Sequence, residues 1–96
     1  MLSIGQVVYS KNGRDAGRCF LVAGLVTGAE GEYLLLVDGE RRTLDKYKKK
    51  KLKHVQKTNT VLPDMAERLR SADRGLLDAN IRKALLPYQR ARKVPV

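Results

Sequence analysis

Between Lys46 and Lys57 the chain reads KYKKKKLKHVQK, a stretch holding seven lysines, one histidine and no carboxylate. The rest of residues 1–60 is close to neutral, with five basic side chains against six acidic ones. The chemistry open to ammonium groups at this density is ionic: they repel one another until a polyanion neutralises them, and the counterions it releases drive binding. Phosphate oxygens are therefore the expected ligands of Lys46, Lys48, Lys49, Lys50, Lys51, Lys53 and Lys57. Lysine is a point charge and gives such a contact little base specificity. His54 offers packing or a phosphate hydrogen bond. Tyr47, set among the lysines, offers a ring on which a base can stack.

A second cationic group surrounds the first turn, where Lys11, Asn12, Arg14 and Arg18 flank Gly13 and Gly17. Glycine makes the turn and, lacking a side chain, lets backbone amides approach a phosphate that Lys11 and Arg14 can hold. Asp15 either weakens that contact or pairs with an arginine. Arg41 and Arg42 point to opposite faces if their strand is regular, so at least one is expected at the surface, where it can fork onto a phosphate or stack on an unpaired base. The alternative is pairing with Asp38, Glu40 or Asp45. Tyr9 and Tyr33 sit in apolar segments and read as core or rim residues before stacking platforms.

Other chemistries are poorly served. With His54 the sole histidine and Cys19 the sole cysteine, there is no zinc spacing and no internal disulfide. The carboxylates are scattered in turns and at helix caps, so no acid–base pair or activated nucleophile can be assigned. Neither enzyme activity nor a cofactor or metal is expected. A chain of 96 residues buries only roughly 60–65 % of its unfolded surface, which leaves little room for a deep cleft.

Hydrophobic content of 43 % in regular spacing is enough for a packed core, and the formal charge of +10 favours a polyanionic partner. The longest apolar run, Cys19 to Val26, falls far short of the ~20 residues that span a bilayer. Met1 to Val8 has no basic start before an apolar core. A cytoplasmic location and no membrane partner are expected, and the lone cysteine agrees with a reducing compartment. Oligomeric state is not legible.

The elements that must position these side chains fall into two groups. Residues 4–58 read as short strands: Gln6 to Ser10, Arg18 to Val26, Glu32 to Val37, a return strand from Arg41 to Leu44 after the Asp38-Gly39 hairpin turn, and a fifth near Leu52 to Gln56. Five short antiparallel strands joined by tight turns suggest a small curled barrel. Beyond Thr58 the spacing is helical. Asp64 and Glu67 after Pro63 resemble a capped start, Met65, Leu69 and Ala72 share a face, and Gly75 is expected to end that helix. Asp78 can cap a second helix carrying Ile81, Ala84 and Leu85, with Pro87 near its end and a basic tail from Gln89 to Val96. Arg82, Lys83, Arg90, Arg92 and Lys93 make a further cationic region.

The segment IGQVVYSKNGRDAGRCFLV, Ile4 to Val22, resembles a KOW motif, the strand–loop–strand unit of ribosomal proteins and transcription elongation factors, with Gly17 at the characteristic glycine. With Asp38-Gly39, Arg41-Arg42 and KKKKLKH, residues 3–60 are similar to bacterial KOW-domain RNA-binding proteins related to the large-subunit ribosomal protein "fourteen-e". The resemblance implies a mainly β fold, an SH3-like barrel over residues 1–60 that binds ribosomal or other structured RNA. Residues 61–96 lie outside the motif and form a two-helix extension, without which residues 1–60 are expected to fold. The rival reading is a protein-interaction module of the transcription or translation machinery.

Overall fold

The computed structural model describes residues 2–11 and 13–91, the side chains of residues 90 and 91 excepted. Strand β1 spans Gln6–Ser10, β2 Cys19–Gly28, β3 Gly31–Val37, β4 Lys48–Lys51 and β5 Val55–Val61. Helix α1 spans Pro63–Arg70 and α2 Asp78–Ala91. The strands form one antiparallel sheet in the order β4-β3-β2-β1-β5. A single 3₁₀ turn, Leu52–His54, leads from one edge strand to the other, and no ladder joins β4 to β5 among the described residues.

Alternation along the strands sorts the apolar side chains into two cores. Val8, Phe20, Val22, Leu34 and Leu36 gather on one face with Leu2 and with Val55 from the far edge. A cluster drawing on both β3 and β5 requires the sheet to curl around it. The opposite face presents Val7, Cys19, Leu21 and Val37, and these are covered by Met65, Leu76, Ile81 and Leu85. Neither helix is long enough to be stable alone, so each folds by burying one stripe of side chains on the sheet.

Two polar anchors fix α2 to the strands. The Gln89 side chain accepts the Cys19 amide at 3.1 Å and donates to the Cys19 carbonyl at 2.9 Å. The Tyr9 hydroxyl donates to the Tyr88 carbonyl at 3.1 Å. Pro87 lies inside the helix rather than at its end, and Gln89 to Ala91 continue α2 instead of beginning a tail. The rest of that expected tail, residues 92–96, is outside the described residues.

The expected return strand Arg41–Leu44 is absent, and the reason is local competition for backbone groups. Asp38 Oδ1 accepts the amides of Glu40 at 2.9 Å and Arg42 at 2.8 Å. The Arg42 carbonyl in turn accepts the amides of Asp38 and Gly39 at 2.9 and 3.1 Å. Leu44 donates its amide to Asp78 Oδ1 at 2.7 Å, so that carboxylate ties the loop to the start of α2. Gly39 makes this possible: its φ is +78°, and a Cβ there would collide with the Asp78 carbonyl oxygen and lie 2.7 Å from the Arg82 amide.

Pairing therefore resumes only at the lysines, which form β4 against β3. The expected fifth strand, Leu52 to Gln56, is divided between the 3₁₀ turn and β5, which extends to Val61. Helix α1 starts at Pro63 after Leu62 with no side-chain cap; Asp64 and Glu67 do not provide one. It stops at Arg70, short of Gly75, because Ala72 turns into the left-handed region at φ 54° and Asp73 collects the Gly75 amide at 2.7 Å and Arg68 Nε at 3.2 Å.

Candidate nucleic-acid interface

The loop after β1 and the loop after β3 are clasped by reciprocal ion pairs. Arg18 reaches Asp38 and Arg42 reaches Asp15, each at 3.1 Å through Nη2. The acceptor side chains are almost sealed from water, 1 % exposed for Asp38 and 7 % for Asp15. Both arginine Nε atoms are buried without a hydrogen-bond partner. The clasp thus commits Arg18 and Arg42, two of the expected nucleic-acid contacts, to holding the loops together. Gly13 and Gly17 lie in the first of these loops with φ of 82° and 84°.

The register splits the lysine run. Lys48 and Lys50 pair with Leu36 and Leu34, the inward-facing residues of β3, whereas Lys49 and Lys51 pair with Leu35 and Tyr33 on the other face. Lys50 is only 8 % exposed, and its Nζ lies 3.7 Å from where a Cβ on Gly13 would stand, which places it beneath the first loop. Burial, reinforced by the charges of Lys48 and Arg42 and opposed by Asp15, holds its pKa below the ordinary lysine value. Lys50 therefore belongs to the clasp. Lys49 is exposed, and its ammonium stands 4.6 Å from the centre of the Tyr33 ring.

Of the remaining expected contacts, Lys11, Arg14, Arg41, Lys46, Tyr47, Lys53 and Lys57 are exposed. His54 is half-buried and its carbonyl accepts the Lys11 amide at 3.0 Å, tying the 3₁₀ turn to the first loop. Arg82 and Lys83 are exposed on α2. Asn12, Arg92 and Lys93 lie outside the described residues, as does the side chain of Arg90.

The joint anchoring by Asp15 and Asp38 has no signal in the sequence, and Tyr33, a core or rim residue by its apolar strand, stands beside the Lys49 ammonium. Asp15 does pair with an arginine, but with Arg42, whose expected carboxylates are Asp38, Glu40 and Asp45, because the loops meet only through the fold. Tyr33 combines a lysine across the ladder with a half-buried ring. Desolvation, followed by the Glu30 carboxylate that accepts its hydroxyl at 3.4 Å, raises the phenol above its ordinary pKa.

A pocket of about 430 Å³ lies between the clasp and α2, lined among others by Arg18, Glu40, Arg82, Leu85 and Gln89; His54 and Cys19 are not in its wall. Among the described residues no group of three or more His, Cys, Asp or Glu is placed to hold a metal ion. No helix among them is long and apolar enough to cross a membrane. No protein-family model matches the chain, and no curated protein matches it.

Proposed function

We propose that this chain is a non-enzymatic, cytoplasmic RNA-binding module of the KOW type, built on an SH3-like barrel and contacting structured RNA at or near the ribosome. The observation that carries the reading is which charges the fold leaves at the surface. Asp15 and Asp38 are neutralised internally by Arg42 and Arg18, while Lys11, Arg14, Lys46, Lys49, Lys53 and Lys57 remain exposed. A surface with an excess of cationic groups favours phosphates, and its affinity falls steeply with salt. The curl of five short strands around one apolar cluster, with the first and last strands paired, supports the barrel. Asp45 and Glu40 are exposed among these cations and set a limit on the field.

Two measurements test the reading together: crosslinking to RNA in the native cells with sequencing of what is recovered, and a salt titration of binding to that RNA. Enrichment of one ribosomal RNA helix with a steep log–log slope is expected. No binding at low salt, with capture of a polymerase or ribosomal protein instead, favours the protein-interaction reading, which the exposed Leu77 and Leu86 of the helical region support.

A further inference from the structure

The cluster beneath the helices does not extend to the far end of the β2–β3 hairpin. Within it Leu21 pairs with Val37 beneath α1 and α2. The next two rows take no part in that helix-covered cluster: Gly24–Leu35–Lys49, then Val26–Tyr33–Lys51, of which Val26 and Lys49 are exposed and the others half-buried. Leu35 lies across Gly24, whose missing side chain makes the space; a Cβ there would stand 3.0 Å from Leu35 Cδ1. Val26 is exposed at 37 %, and its neighbour Leu25, on the opposite face, at 50 %. This end of the hairpin therefore offers apolar surface bordered on one side by β4 lysines.

We infer that the Val26–Tyr33–Lys49–Lys51 face is a platform for unpaired RNA bases, so that the ligand class of this site is single-stranded RNA or the unpaired segment of a structured one. The inference rests on the RNA-binding reading and adds which nucleic acid and which face. A duplex presents phosphates but keeps its base faces stacked, and gains nothing from an aromatic ring between apolar neighbours. A single strand presents both. In the free protein the Lys49 ammonium stands over the Tyr33 ring at 4.6 Å, an arrangement that a phosphate and a base can replace together, one drawing off the ammonium and the other taking the ring. Glu30, hydrogen-bonded to the Tyr33 hydroxyl, puts a negative charge at the hairpin tip. The strand's phosphates consequently run on the β4 side, over Lys49 and Lys51.

The test compares a fluorescently labelled oligoribonucleotide with its fully paired duplex, binding the unmodified chain, Tyr33→Leu and Tyr33→Phe, with a thermal melt of each protein. Tyr33→Leu should weaken single-strand binding by roughly five- to hundredfold, the range for removal of one base–aromatic stack. Duplex binding should change by less than about twofold, since phosphate contacts carry it, and Tyr33→Phe should bind as the unmodified chain does. Equal losses for single strand and duplex, or no loss for either, overturn the platform while leaving phosphate binding intact. Failure of the unmodified chain to bind either RNA overturns the RNA reading itself. Photocrosslinking of the unmodified chain to a halouridine-substituted single strand gives a readout independent of mutant folding: the modified peptide is expected to contain Tyr33, and crosslinks confined to other peptides overturn the inference.

Discussion

Asp38 does more for this protein than its place in a hairpin signal indicated. Its carboxylate holds Arg18 and two backbone amides, those of Glu40 and Arg42, while almost wholly excluded from water. Removing it leaves a guanidinium and two amides short of an acceptor, which should lower stability by about 2–3 kcal/mol in chemical denaturation. Arg18→Met should cost less, because Asp38 keeps both amide donors. Equal losses would mean that the ion pair, and not the amide bonds, dominates. The lysines divide in the same way between structure and surface. Lys49→Ala with Lys51→Ala should reduce the log–log salt slope of RNA binding by roughly 0.7–0.9 for each phosphate that the variant no longer neutralises. Lys50→Met should leave the slope unchanged and show itself in stability. Its folded pKa lies below the unfolded value of 10.5, so the folded chain binds fewer protons between the two values and gains stability as pH rises through that window. The substitution should remove that part of the gain, measured as the difference between the two proteins' melting profiles from neutral pH upward.

Elements were legible in proportion to how local their causes are. Strands β1, β2 and β3 are apolar runs between glycine-bearing turns, and their periodicity survives in the fold with shifts of a residue or two. The stretch 38–47 was not legible, because Asp38 and Asp78 draw backbone amides out of the ladder through side chains whose partners depend on tertiary contact. Strand β4 was hidden for a different reason: four consecutive lysines carry no alternation to read, and only the open edge of β3 makes them a strand. The clasp could not be located at all from spacing, since each arginine bonds the aspartate of the other loop. The end of α1 yields a prediction at this scale. Ala72 occupies the left-handed region that glycine usually fills. Ala72→Gly relieves about 1–2 kcal/mol of steric cost and adds back about 0.5–1 kcal/mol of unfolded-chain entropy, so a net gain of up to about 1.5 kcal/mol is expected. A lower melting temperature for the glycine variant would show that the turn between α1 and α2 is not held in this conformation in solution.

At the scale of the whole molecule, the question is whether the sheet exists without the helices. Residues 1–60 contain nearly every strand residue, and by sequence alone they read as a separate folding unit. The packing argues otherwise. Met65, Leu76, Ile81 and Leu85 are all buried against Val7, Cys19, Leu21 and Val37, and each such side chain contributes about 1.5–3 kcal/mol on full burial, or roughly 6–12 kcal/mol for four of them. That upper estimate matches the entire stability of a typical small domain, about 5–15 kcal/mol. Truncation after Thr60 also removes the Gln6–Val61 pairing, the bond from the Leu62 amide to the Gly5 carbonyl, and both Gln89 hydrogen bonds to Cys19. The truncated chain is therefore expected to lose its cooperative thermal transition and to bind a dye for exposed apolar surface. Weak RNA binding through its lysines would persist, because charge density survives unfolding. A cooperative melt in the truncated chain would mean that the inner core, Val8, Phe20, Val22, Leu34, Leu36 and Val55, sustains the sheet unaided. In that case an RNA affinity equal to that of the full chain across a salt titration would confine the helices to packing or another partner. A shallower slope would instead place Arg82 and Lys83 on phosphates.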